Sequence, residues 1–525
     1  MRSTMVWAVL ALLIPAGARA EPKDSFARIE QINRASLVMT VETGIVPRAL
    51  GATVARTLDQ VAADAAKPGA ERPDDYLRIE PLITAIAGAD ATRMHSGRSR
   101  QDIIPTVLKL EQRDRLLNLA KALDETRAAL LAVAEREADT IVPAYTNGVQ
   151  AQPTTLGHVY LGYASVLARD ADRLRETWAR LNLSPLGAAA LGTSSFPVDR
   201  ERLAALLGFD APVENSYDSG QLAPMDMGLE LTGLAANLAT TAGSFAQDLY
   251  AQYHQTRPWI LLREGALTGP SSIMPQKRNP VALYSLRMKA SDVVGAAQAF
   301  VVMAHNVDSG MPDYKRNQAE PPGRTLAEAA EMCRRWTRVL DGLVVDRARA
   351  ADEVAADYST TTELADTLQR QADVPFRLGH HFASELVSYG RSHDLRPADL
   401  PFPEVRRIYA EAAAGSGLKP DLPLDEARFR AALSARGMID AAKGLGGPQP
   451  AEVRRMLGAA QRRGCGPTAT GSTPAARAWP MPGRASTPPS RPSRASPEFR
   501  AGAPCRNSAV TGPILRYSAR LTPAG

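Results

Sequence analysis

The chain has 525 residues, 45% of them apolar and only 5% aromatic, a balance that suits long Ala/Leu-rich helices better than a β-sandwich. Its three cysteines exclude a disulfide framework and a cysteine-built metal centre. The net charge of +6 misleads about partners: from Arg462 onward there are ten arginines and one glutamate, so the remainder is slightly acidic and no nucleic-acid partner is expected.

Residues 1–20 read as a secretory leader. Arg2 precedes an apolar run from Val6 to Ile14, and Ala18-Arg19-Ala20 forms a small-residue cleavage site before Glu21. A periplasmic or secreted protein is expected, or a cytoplasmic one if the true start lies further along. The run is too short to cross a bilayer and no later stretch is long enough, so no membrane span is expected. After Pro105, Leu116, Ala120, Leu123, Leu130 and Ala134 share one helical face. Leu326, Ala330, Cys333, Trp336, Leu340 and Leu343 share another, which makes Cys333 a buried core thiol. Long helices with more than one apolar face need partner subunits to cover them. Past Arg462, eleven prolines scattered among Gly, Ser, Thr and Ala allow neither helix nor core, so a disordered or frameshifted tail is expected.

The most informative stretch is TGPSSIMPQKRNP, residues 268–280. Asn279 suits an N-cap and Pro280 the first helical position, which predicts a long helix over Val281 to Val301. The loop would then end on a positive helix terminus. Its free N–H groups and the Lys277 ammonium can stabilise the charge that a carboxylate gains when the neighbouring carbon loses a proton. Ser271 is the base candidate, provided a cation or oriented backbone donors turn its hydroxyl into an alkoxide. Gly265 and Gly269 give the segment freedom to move. No metal or cofactor is called for.

SSIMPQKRNP resembles the signature of the fumarase/aspartase superfamily, and within it the chain looks most like argininosuccinate lyase. INRASLVMTVETGIV (32–46), MHSGRSRQD (94–102), AYTNGVQAQP (144–153) and SPLGAAALGTSSFPVDRERLAALLGF (184–209) carry the narrower resemblance. It implies an all-α, three-domain fumarase/aspartase-type fold with a central long-helix bundle, and a homotetramer whose active sites draw on three subunits. The corresponding ranges here are 21–105, 106–350 and 351–460, with the tail at 461–525. The implied activity is elimination of an amine-type leaving group from a succinyl substrate, a small dicarboxylate, with release of fumarate; argininosuccinate cleavage, an amidine-lyase reaction of arginine biosynthesis, leads.

By the same resemblance Ser271 is the base, while Lys277 and Asn279 bind substrate and stabilise the aci-carboxylate. Ser99, Arg100 and Gln101 match the Ser-Arg-Asn that binds the succinyl part, with Gln in place of Asn. His95 matches a histidine with a supporting or capping role. The departures lie elsewhere. The family's T-H-x-Q-x-A-Q-P keeps its threonine as Thr146, but its histidine is Asn147; the glutamate that pairs with that histidine is Tyr284. A general acid would be Tyr145, Tyr284, a water or the leaving group itself. The family's S-x-R-D after the N-S-x-D turn gives way to Gly220-Gln221-Leu222-Ala223-Pro224, without the arginine. In the stretch that grips argininosuccinate, Tyr314 survives, Gln318 substitutes in shifted register and the lysine is proline. The alternatives are a different N-substituted aspartate, or a silent paralogue that binds a dicarboxylate or acts as a scaffold.

Overall fold

The computed structural model describes residues 24–311 and 320–463, all within one compact unit. The leader at 1–20, Tyr314, Gln318 and tail residues 464–525 lie outside the described residues. The chain opens with α1 (Ser25–Glu42), α2 (Arg48–Ala65) and α3 (Tyr76–Ala87), followed by a 3₁₀ turn, Ala89–His95. Asp24 and Asp75 cap α1 and α3, each carboxylate taking a first-turn N–H that would otherwise lack a partner. Ile32, Met39, Leu58, Ile79 and Met94 are fully buried between these elements.

Next come α4 (Arg100–Arg136), α5 (Leu156–Leu181), the short α6 (Arg200–Leu206), α7 (Ala223–Tyr253), α8 (Val281–Ala304) and α9 (Glu320–Asp341). All but α6 pack as a bundle: α4 lies on α5 and α9, and α7 lies on α5, α8 and α9. At 37 residues α4 is about 55 Å long. It starts before Pro105 rather than after it, because Ser99 and Asp102 form a capping box that fixes the first turn. Pro105 then sits inside the helix, where the carbonyl of Gln101 loses its i+4 donor. Leu116, Leu123, Leu130 and Ala134 are buried as their spacing predicts, whereas Ala120 is only half-buried. On α9, Leu326, Ala330, Cys333, Trp336 and Leu340 are fully buried, and Leu343 just beyond it is buried too. Thr126 ties the two helices together by donating to the Cys333 carbonyl at 2.9 Å. Trp336 packs against Phe245 of α7 with centroids 5.0 Å apart.

The remaining helices are α10 (Arg347–Ala355), α11 (Thr361–Ala372), α12 (Phe376–Ser392), α13 (Phe402–Ala413), α14 (Glu426–Ala432), α15 (Ala435–Ala441) and α16 (Pro450–Arg462). Phe382, Leu386, Tyr409 and Phe429 anchor a second core among α11–α14. The described strands form only two-stranded ladders, the longest pairing β1 (Ile141–Thr146) with β2 (Val149–Thr155), and β1 rests on α10. No described helix is long and apolar enough to cross a membrane.

Cys333 is fully buried and burial pushes its thiol up to about 12. In a variant with Cys465 and Cys505 replaced by serine, no thiol should react with a disulfide reagent until denaturant is added; prompt labelling of the native protein would contradict the packing of α9.

Candidate active site

The signature loop is pinched at its base by a short ladder in which Gly269 pairs with Asn279 and Pro270 with Arg278. A Cβ on Gly269 would come within 2.9 Å of the Val281 side chain, which would have to shift to admit it. Asn279 Nδ2 donates to the Pro270 carbonyl at 3.3 Å. The expected cap is therefore displaced: Pro280 occupies the N-cap position of α8, the helix starts at Val281, and the Asn279 side chain serves the ladder instead. One of the amides expected to face substrate is also occupied, since the Ala282 N–H donates to the Leu267 carbonyl at 3.0 Å.

At the tip, Ser271 Oγ accepts from the Met274 N–H at 3.2 Å and the Ile273 N–H at 3.5 Å. An oxygen accepting from the N–H groups two and three residues on is an ordinary serine turn; the same two dipoles would lower the cost of an alkoxide at that position. The Lys277 N–H closes the turn on the Met274 carbonyl at 3.1 Å. Its ammonium is exposed and has no partner among the described residues. Arg278 is committed elsewhere, to Glu264 at 2.9 Å and the Pro275 carbonyl at 2.8 Å. Ile273, at the tip of the loop, is 83% exposed.

The second cluster surrounds the start of α4. Ser99 caps the helix by accepting from the Gln101 N–H at 3.2 Å. Arg100 pairs with Asp75 at 2.8 Å, so a substrate carboxylate would share that guanidinium. Asp102 organises the group: one carboxylate oxygen takes the Ser99 N–H at 2.9 Å, the other the Gly187 and Ala189 N–H groups at 2.9 and 3.1 Å. It is fully buried, and burial pushes its carboxyl up to about 6. Arg98, also buried, donates to Asn33 Oδ1 at 2.9 Å and lies 4.9 Å over the Tyr76 ring. Tyr76 stacks on His95 at 4.4 Å, and burial pushes the His95 imidazole down to about 4, so it is neutral and structural.

The third cluster is the β1–β2 hairpin. Asn147 (φ 52°) and Gly148 (φ 78°) are its two turn residues, with Thr146 paired to Val149 on either side. Positive φ at both positions is the type I′ turn, for which Asn-Gly is the favoured pair. A register shift between Ala144 and Tyr145 re-aims Tyr145, and Gln150 docks the hairpin by donating to Ser359 Oγ at 3.0 Å. Burial, then the Glu353 carboxylate, raise the Tyr145 phenol above its ordinary value, so it holds its proton at neutral pH. Thr146, Asn147 and Tyr284 are exposed, and no hydrogen bond joins Asn147 to Tyr284 within the chain.

A lyase family model matches residues 75–295, and the argininosuccinate lyase C-terminal model matches residues 358–440. Argininosuccinate lyase of Cupriavidus necator is 32% identical over 82% of this chain and 89% of its own length. The chain belongs to the argininosuccinate lyase family. Argininosuccinate lyase 2 of Agrobacterium fabrum is 34% identical over 84% of the chain and 87% of its own length. Among solved structures, EDDS lyase in complex with formate superposes with a TM-score of 0.74, at 29% identity, covering 84% of this chain and 86% of that one. The protein is thus a carbon–nitrogen lyase of the fumarase/aspartase superfamily with its mostly helical fold, and of fumarate-releasing type.

Within one chain of this argininosuccinate lyase relative, the residues the resemblance marks stand on three separate elements: Ser271, Lys277 and Asn279 on the loop before α8, Ser99 to Gln101 on α4, and Thr146 and Asn147 on the hairpin. Sequence reasoning passed over Asp102, although the spacing Ser99-x-x-Asp102 is a capping-box signal. Asn147 gains a local explanation, because it fits the turn it occupies. Restoring the family pair with Asn147→His and Tyr284→Glu should raise argininosuccinate cleavage by roughly tenfold or more, beyond the sum of the single changes. Asn147→His alone should weaken the hairpin by about 1 kcal/mol. Initial rates of the four proteins decide it, and additive effects would show that the two positions do not act together.

Proposed function

We propose that this protein eliminates an amine from an N-substituted aspartate, with Ser271 removing the proton next to the carboxylate and Lys277 and Asn279 stabilising the aci-carboxylate. The observation that carries this reading is the pair of backbone N–H groups on Ser271 Oγ. The curated relatives make argininosuccinate the first substrate to test. A different N-substituted aspartate is a second reading, favoured by Asn147, Tyr284 and the segment Gly220–Pro224, where the family's acid–base couple and arginine are missing. The deciding experiment follows fumarate absorbance with purified protein and a panel of N-substituted aspartates; absence of fumarate from every member would leave a silent dicarboxylate-binding paralogue.

The same reading requires a homotetramer, because the three elements would be completed by other subunits. Met288 at 61% and Val302 at 75% exposure are large apolar side chains that a neighbouring subunit would cover. Light scattering should give four times the chain mass; a monomer with an intact helical spectrum would refute the shared site.

A further inference from the structure

The last described helix, α16, lies on α4 and α5, and the three frame a groove of about 580 Å³. That is the size of a small-molecule site, roughly 300 to 1,000 Å³. Its apolar floor comes from Leu161 and Ala164 of α5 and Met456 and Ala459 of α16. Arg127 of α4 is buried in the wall and donates to the Ala460 carbonyl at 2.6 Å, which fixes α16 against α4.

Two glycines of α5 differ in what they leave room for. At Gly157 a Cβ would meet the Ala134 carbonyl oxygen at 2.6 Å, so close packing on α4 explains that glycine. Gly162 lines the groove, and a Cβ there would meet nothing within 4 Å. Glycine is a poor choice for a helix interior, and no crowding within the chain calls for it at 162. Its effect is to keep the groove open.

The charges around the groove are of one sign. Four arginines and a single aspartate line it. The aspartate, Asp172, is paired with Arg175 at 2.6 Å, and Arg455 is paired with Glu452 at 2.7 Å. Asp170, beside Arg169 in sequence, gives its carboxylate to Arg173 and Asn237 at 2.6 and 2.8 Å. His158 uses one ring nitrogen on Thr154 Oγ1 and the other on the Gly446 carbonyl, so it is wall and not a donor to a ligand. Arg169 and Arg463 are exposed and make no ion pair among the described residues. Beyond Arg463 the sequence offers one acidic side chain, Glu498, against a series of arginines. A carboxylate matches the guanidinium fork, and an aliphatic body gains by leaving water on the floor.

We propose that the groove between α5 and α16 binds an organic carboxylate with an aliphatic body, its anionic end on Arg169 and Arg463 and its chain along Leu161, Ala164, Met456 and Ala459. This site does not depend on the elimination reading.

The test is calorimetric titration of the full-length protein with decanoate, decylammonium and inorganic phosphate. Decanoate should bind with a Kd of about 100 µM or tighter, and the other two at least about tenfold more weakly. Gly162→Phe fills the groove from a position with open space, and Arg169→Gln removes one cation; each should weaken decanoate about tenfold or more at unchanged melting temperature. Equal binding of decylammonium would overturn the anion assignment. Decanoate binding unmoved by both variants, or absent from the parent at millimolar concentration, would overturn the site. A parent oligomer that dissociates in Gly162→Phe, seen by light scattering, would show a neighbouring subunit filling the groove and would overturn the proposal as well.

Discussion

Ser271→Ala is expected to lower kcat by about 10³-fold with little change in KM, since a positioned base contributes in the transition state and not in ground-state binding. The Met274 and Ile273 N–H groups that converge on Ser271 Oγ lose their acceptor in this variant, and both sit in an exposed loop where water replaces it. The fold should therefore be unaffected, and an unchanged melting temperature separates loss of chemistry from loss of structure. Lys277→Ala should differ in kind, raising KM as well as lowering kcat, because the ammonium attracts the carboxylate before and during reaction. Turnover close to the parent's in the serine variant would end the assignment of Ser271.

Asp102→Asn should destabilise the fold by about 3 kcal/mol, although the two side chains have the same size. The carboxylate accepts from three backbone N–H groups on two segments, and an amide placed there turns its NH₂ toward a donor or leaves one of them unpaired. Ser99 to Gln101 would shift with it, so KM should rise more than kcat falls. The pH dependence has a definite sign. Burial raises the folded carboxyl to about 6, so the stability linked to this group is fully present below its unfolded value and is lost as pH rises through about 6. Thermal midpoints between pH 4 and 7 should show that loss in the parent and a flatter profile in Asp102→Asn; identical profiles would mean that Asp102 is not the group that titrates.

What the sequence determined by itself was the family, the signature loop and the helical faces. Those signals are local: a 3.6-residue apolar period and a run of fixed residue types around Ser271. The buried stripes on α4 and α9 follow from spacing because burying one face of a helix is the main way it gains stability in a bundle. Tertiary structure decided the rest. Asp102 is tied to Gly187 and Ala189, 85 and 87 residues away, and nothing near position 102 announces those partners. Asn279 left the cap by one residue because the ladder with Pro270 offered its side chain another bond, a competition visible only once the two strands are side by side. Asn147 reads in the sequence as a lost histidine and in the structure as a type I′ turn residue, since positive φ is set by the hairpin register and not by residue type alone.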